Sequence, residues 1–192
     1  MTGVMYPLKG LVERIKFLRE AADVQRLHTI RTIGEYRNGA HTFGMLALLR
    51  LLWPEAPLYL IWAIIEHDIP ERLVSDMPSP TIRFGGFVDR DKLAEAEENI
   101  LAGIFEYHFE PGLEGQDLEA YRWLKGLDLL DLFLYCKDQE RMGNKNVLQV
   151  KHRCREVFLH RAKDFPKQIL DAFWECWNDE EWLILPDLGV TR

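Results

Sequence analysis

The sequence predicts an all-α protein, a helical bundle forming a single domain over residues 1–192. Three observations carry this. Apolar residues recur at intervals of three and four along one segment after another, the period of helices that face a core. No run alternates apolar and polar residues beside a tight hairpin turn, so no sheet is expected. The chain has 192 residues, 47% of them hydrophobic. A chain of that size buries about 70% of its unfolded surface and needs no staples.

The segments follow in order. Leu8 to Asp23 places Leu11, Ile15, Leu18 and Ala22 on one line with charges between them, which reads as an amphipathic helix. Residues 25–39 are polar and contain Gly34 and Asn38-Gly39, which reads as a loop. His41 to Trp53 is apolar on nearly every side apart from Arg50, the pattern of a buried central helix. Pro54 and Pro57 bracket its end. Leu58 to Ile65 then starts a second apolar helix that runs into Glu66-His67-Asp68. Pro70, Pro78, Pro80 and Gly85-Gly86 mark an irregular stretch with at most one short turn of helix. Asp89 to Tyr107 aligns Leu93, Ala96, Ile100 and Ile104, and Pro111 to Gly115 breaks the chain. Leu118 to Arg141 is a long Leu-rich helix, with Gly143 placed as its C-terminal cap. Asn146 to Lys163 and Pro166 to Asn178 complete the bundle. A motif-bearing core of about residues 8–150 is thus followed by C-terminal helices over 146–178.

Charge and composition exclude several functions. The 24 Lys and Arg against 31 Asp and Glu give a net charge of −7. No block of five basic residues occurs, so neither nucleic acid nor an anionic membrane is an expected partner. No stretch reaches 18 apolar residues, so no membrane span is expected. Met1 to Gly10 lacks a basic start followed by an apolar run, which argues against a secretory signal. Cys136, Cys154 and Cys176 form no C-x-x-C pair and are odd in number, as expected of reduced side chains in a cytoplasmic protein. No Gly-rich phosphate loop is present, Gly85-Gly86 being too short. A phosphate-bearing substrate would therefore have to be attracted by something other than net charge.

A few polar residues sit where burial is expected. His41 opens one apolar helix, His67-Asp68 closes the next, and Asp128 lies between Leu124 and Leu132 on its own helix face. A buried, unpaired carboxylate costs several kcal/mol, so each needs a cation or a strong donor nearby. Two imidazoles and two carboxylates make a reasonable ligand set for one divalent ion, with positions left for water and substrate. Taken singly, each is better explained by a helix cap or an exit to the surface. Asp131, one turn beyond Asp128, is an alternative late ligand. His108, His152 and His160 have no ligand-like spacing and read as surface residues. Trp174, Trp177 and Trp182 suit either the core or a subunit contact.

The arrangement resembles the HD-domain metal-dependent phosphohydrolases, and among them the bacterial 5'-deoxynucleotidase family with its phage relatives. Arg26 precedes His41 by fifteen residues. The segment from His67-Asp68 through Glu71, Asp76, Pro78 and Pro80 matches the family's H-D-x-x-E-x-x-x-x-D-x-P-x-P. Asp128 lies fifteen residues before Gly143-Asn144, where the family's late Asp stands relative to its Gly-Asn. Two departures occur: Ala40 replaces an acidic residue before the first His, and Leu27 replaces the aromatic after the early Arg.

The resemblance implies an HD-type helical bundle holding one divalent ion (Co²⁺, Mn²⁺, Zn²⁺ or Mg²⁺) through His41, His67, Asp68 and Asp128. Such an ion would polarise a phosphoryl oxygen and acidify a water, supplying the positive charge that the chain as a whole lacks. Glu71 would orient or deprotonate that water, or protonate the leaving oxygen, if the helix persists through Pro70; otherwise it is a first-turn carboxylate stabilised by the helix dipole. Asp76 would hold a sugar hydroxyl or assist proton transfer, or else cap the turn before Met77. Arg26 would clamp the phosphate bidentately, with Leu27 and Pro80 as walls of the base pocket. Lys125, Arg83 and His28 could reach further phosphates.

The function implied is release of phosphate from free deoxynucleoside monophosphates. The alternative is a phage-type dNTP triphosphohydrolase, in particular one converting dATP to deoxyadenosine and triphosphate. An alternative of another class is a non-catalytic helical interaction module. The resemblance further implies a homo-oligomer, a dimer or larger, in the cytoplasm, or in the host cytoplasm if the chain is phage-encoded.

Overall fold

A computed structural model describes residues 10–77, 88–105 and 115–180 of the protein. These residues form an all-α body. Among them there is no strand, only an isolated bridge between Gln25 and Arg37. The helices are α1 (Leu11–Ala22), α2 (Asn38–Leu52), α3 (Leu58–Glu66), α4 (Glu71–Val74), α5 (Arg90–Ile104), α6 (Gly115–Arg141), α7 (Leu148–His160) and α8 (Lys167–Asn178).

Helix α6 is the axis of the bundle. Its 27 residues span about 40 Å at the α-helical rise, and α2, α3, α7 and α8 all pack on it. Leu127, Leu130 and Phe133 of α6 are fully buried with Met45, Leu60, Ile64, Phe158, Ile169 and Phe173 from those neighbours. Phe133 and Phe173 meet edge-on at 4.6 Å, and Phe158 stacks on Phe173 at 4.2 Å. Trp177 packs on the same cluster, with Lys151 and Arg155 over its ring. Gly126 lets α8 approach closely: a Cβ there would lie 2.6 Å from Ile169 Cδ1. The helix ends as the sequence predicts, with Gly143 at φ +85° and the Asn144 amide returning to Gln139 O at 2.9 Å.

A smaller core joins α1 to α5 through Phe17, Ala21, Ile69, Ile100 and Ile104. Here the structure departs from the expected α1 face, since Leu11 is 70% and Ile15 48% exposed. Phe17 and Ala21 face the core instead, and the buried aromatic ring removes more apolar area from water than a leucine would. The Arg14 guanidinium donates to Ile104 O at 3.3 Å.

Several helix boundaries also differ: α5 ends at Ile104 instead of Tyr107, because Phe105 turns extended (φ −107°, ψ 139°), and α6 already begins at Gly115 instead of Leu118. The expected 146–163 helix is shorter, because the backbone at Arg161 (φ −120°, ψ 24°) leaves the α region and a 3₁₀ turn, Ala162–Asp164, follows. More consequential for the site, α2 begins at Asn38, three residues before His41. Arg37 is extended at φ −112°, so the helix starts where the Gln25–Arg37 bridge releases the chain.

The loop ahead of α2 is tied to the far end of α6. Buried Gln139 donates to Ile33 O at 2.8 Å and accepts from Ile33 N at 2.7 Å, while Asn144 donates to Arg31 O at 2.9 Å. Side chains thus satisfy a loop that could not satisfy itself. No helix among the described residues is long and apolar enough to cross a membrane. Cys136, Cys154 and Cys176 are unbonded, the first two buried.

Candidate metal centre

Three helices deliver the polar residues that the sequence marks. α2 carries His41 one turn inside its N-terminus, the turn that follows α3 carries His67 and Asp68, and α6 carries Asp128. His41 is fully buried and His67 nearly so, with ring centroids 5.5 Å apart. Ligand atoms of His41, His67 and Asp128 lie within 4.8 Å of one another.

Hydrogen bonding defines which nitrogen each imidazole presents. His67 Nδ1 lies 2.8 Å from Ile64 O, and a carbonyl can only accept, so Nδ1 carries the proton. His41 Nδ1 lies 2.7 Å from Asp131 Oδ2, which assigns its proton in the same way. Nε2 of each ring is buried without a hydrogen bond, although Asp68 Oδ2 is 3.1 Å from His67 Nε2 and Asp128 Oδ1 is 3.2 Å from His41 Nε2. Two buried ring nitrogens beside a carboxylate, with each Nδ1 anchored by an acceptor behind it, could hold a divalent ion.

Asp68 adjoins this group, with Oδ2 3.1 Å from His67 Nε2 and 3.6 Å from His41 Nε2, and the same oxygen bonds Arg26. The Arg26 guanidinium bonds Asp68 through Nη1 and reaches Asp128 Oδ1 at 3.2 Å through Nη2. Burial opposes the guanidinium charge, but Asp68 and Asp128 outweigh it and hold Arg26 firmly protonated. Burial likewise opposes ionisation of Asp68, yet His67 and Arg26 pull its carboxyl down to about 2. Asp128 also falls well below the usual carboxylate range, with His41 and Arg26 overcoming burial. Burial works against His41 as well. The Asp128 and Asp131 carboxylates beside its two nitrogens prevail and bring the imidazole up to about 9.

The α3 helix does not persist through Pro70. It ends at Glu66, and i to i+3 bonds carry the chain through His67–Pro70 until Glu71 opens α4. Glu71 still reaches the site through Asn38, whose Nδ2 donates to Glu71 Oε2 at 2.8 Å and to Asp68 O at 3.2 Å. Burial, and then the Asp68 charge, push the Glu71 carboxyl up to about 8.

Asp76 and Leu27 are joined to each other at the rim. Leu27 sits at φ +50°, and its backbone amide donates to Asp76 Oδ2 at 3.1 Å. His28 is exposed with Nδ1 3.9 Å from the same oxygen. Lys125 is exposed on α6, its charge felt by Asp128. Pro80 and Arg83, like His108 and Trp182, lie outside the described residues. His152 and His160 are exposed, as expected.

Three residues take places that sequence reasoning did not give them. Asp131, weighed as an alternative ligand, backs His41 from the Nδ1 side. Tyr36 donates to the same Asp131 oxygen at 2.7 Å, and Asn38 links Asp68 to Glu71. The sequence holds one signal for Asn38, a position one helical turn before His41 that a helix extended backwards would bring onto the same face. No family model matches the chain, and no curated protein matches it.

Proposed function

We infer that the protein is a metal-dependent phosphohydrolase of free deoxynucleotides that releases phosphate from deoxynucleoside monophosphates. The observation that carries this reading is the pair of buried Nε2 atoms on His41 and His67, each unbonded and backed by an acceptor on Nδ1. His41, His67 and Asp128, with Asp68 beside them, would hold the divalent ion. When bound, it would supply Lewis-acid charge to a phosphoryl oxygen and lower the pKa of a water.

The chain's own residues supply the rest. Arg26 lies against both carboxylates, and its planar fork suits two phosphate oxygens, the electrostatic grip that a net charge of −7 does not provide. Glu71, with its carboxyl near 8, carries a proton at neutral pH and can pass it to a leaving oxygen. The bond between the Leu27 amide and Asp76 holds the rim loop in a left-handed turn beside Arg26, where a sugar and base would lie.

The test is incubation of the purified protein with dNMPs and dNTPs, each with Mn²⁺, Co²⁺, Mg²⁺ or Zn²⁺. Inorganic phosphate from dNMPs is expected. Intact triphosphate from dNTPs, dATP above all, would instead make it a triphosphohydrolase acting through the same centre. His67→Ala should abolish whichever activity is found. A protein that binds no divalent ion and hydrolyses neither class would be a non-catalytic module.

A further inference from the structure

We propose that Tyr36 is a positioning residue serving both halves of the site: with Asp131 it sets the nitrogen that His41 presents, and its ring carries Arg26. This deepens the reading of His41 and Arg26 given above and rests on it. Tyr36 lies outside the motif through which the sequence resembles a known family, and Asp131 stands there only as an alternative to Asp128.

Tyr36, His41 and Asp131 form a closed triangle. The Tyr36 hydroxyl lies 2.7 Å from Asp131 Oδ2 and 3.0 Å from His41 Nδ1, and Nδ1 lies 2.7 Å from the same Oδ2. One proton assignment satisfies all three atoms: the hydroxyl and the His41 Nδ1–H both donate to Asp131. That assignment leaves the Nε2 lone pair for the metal. The two donors together hold Asp131 Oδ2 at His41 Nδ1.

The triangle is built to close tolerance. Gly44, three residues beyond His41 on α2, lies against the Asp131 carboxylate, and a Cβ there would overlap it. No side chain larger than hydrogen lets α6 bring Asp131 so near. Tyr36 is itself fixed, 4% exposed and stacked on Tyr135 with centroids 4.0 Å apart and planes 11° from parallel. On the Tyr36 ring rests the Arg26 guanidinium, its central carbon 5.6 Å from the centroid. One rigid aromatic therefore spaces the metal-facing imidazole from the cation placed to meet phosphate.

The two attachments can be separated. Tyr36→Phe removes the hydroxyl and keeps the ring, and Tyr36→Leu removes both. Asp131→Asn keeps the shape but offers an amide donor to Nδ1, which favours the tautomer with its proton on Nε2. Gly44→Ala removes no chemical group and presses its methyl on the Asp131 carboxylate. The experiment titrates Mn²⁺ into each metal-stripped protein by calorimetry and measures KM for dAMP at saturating Mn²⁺, with the metal-free melting curve as the folding control.

Tyr36→Phe is expected to weaken Mn²⁺ binding about tenfold with KM unchanged, and Tyr36→Leu to raise KM as well. Asp131→Asn and Gly44→Ala are expected to weaken Mn²⁺ binding about 10- to 100-fold, the usual cost of losing a hydrogen-bond partner behind a metal ligand. Wild-type Mn²⁺ affinity in both Tyr36→Phe and Gly44→Ala, or equal KM values for Tyr36→Phe and Tyr36→Leu, overturns the proposal and leaves the phosphohydrolase reading intact. A wild-type protein that binds no Mn²⁺ overturns both.

Discussion

Asn38 Nδ2 lies 2.8 Å from Glu71 Oε2, so the first residue of α2 holds the acid that opens α4. The same amide bonds Asp68 O at 3.2 Å, so it ties the acid to the backbone of the His-Asp pair. This bond favours the ionised carboxylate and works against the burial and the Asp68 charge that bring Glu71 up to about 8. Asn38→Ala should therefore move the Glu71 limb of the pH–rate profile for phosphate release to higher pH. It should also cost about 1–3 kcal/mol in urea unfolding, since a buried partner is left unsatisfied. A limb that stays in place would show that Glu71 does not titrate in the rate.

His41 makes metal-free stability depend on pH. Its folded value of about 9 lies above the ordinary 6.5 because Asp128 and Asp131 overcome burial. A group raised on folding stabilises most below its unfolded value, and the stabilisation disappears as pH rises through the folded one. Calorimetry in chelator should show the melting temperature falling between about pH 6.5 and 9. Mn²⁺ affinity should rise over the same window, because the ion displaces that proton. His41→Gln should flatten both curves.

Phe133 tests whether stability and site can be parted. It is fully buried between Phe173 and Trp177, on the side of α6 away from Asp131. Phe133→Ala should cost about 3–5 kcal/mol in denaturant unfolding. Mn²⁺ affinity measured below the transition should remain that of the wild type.

Gly126→Ala sets helix propensity against packing. Alanine favours a helix interior by about 1 kcal/mol over glycine. The added methyl would meet Ile169 Cδ1 at 2.6 Å and Phe165 Cδ1 at 3.3 Å, and overpacking of this kind costs about 1–3 kcal/mol. A lowered melting temperature is expected. An unchanged or raised one would mean that α8 can shift outward without loss.

The sequence made the helices legible because each long one repeats its apolar residues at helical spacing, and α6 even announced its stop at Gly143. His41, His67, Asp68 and Asp128 stood out for a related reason, as polar residues interrupting runs that otherwise bury. Tyr36 and Asn38 carried no such contrast, since a polar or aromatic residue in a polar loop breaks no pattern. The start of α2 was hidden for the same reason: Asn38-Gly39 reads as a turn until Val24 O is seen to accept the Asn38 amide at 3.0 Å.

Sequence alone determined the all-α class, the order of the helices and the short set of side chains too polar for their surroundings, because these follow from local composition and period. Tertiary structure decided what each of those side chains faces. Asp128 and Asp131 are one turn apart on α6, and either could be the ligand as far as local pattern goes. The approach of α2 at Gly44 brings Asp131 to Nδ1 of His41, while Asp128 lies at Nε2. Which nitrogen of a histidine meets which carboxylate depends on the distance and rotation between two helices some ninety residues apart in the chain, and no local pattern encodes it.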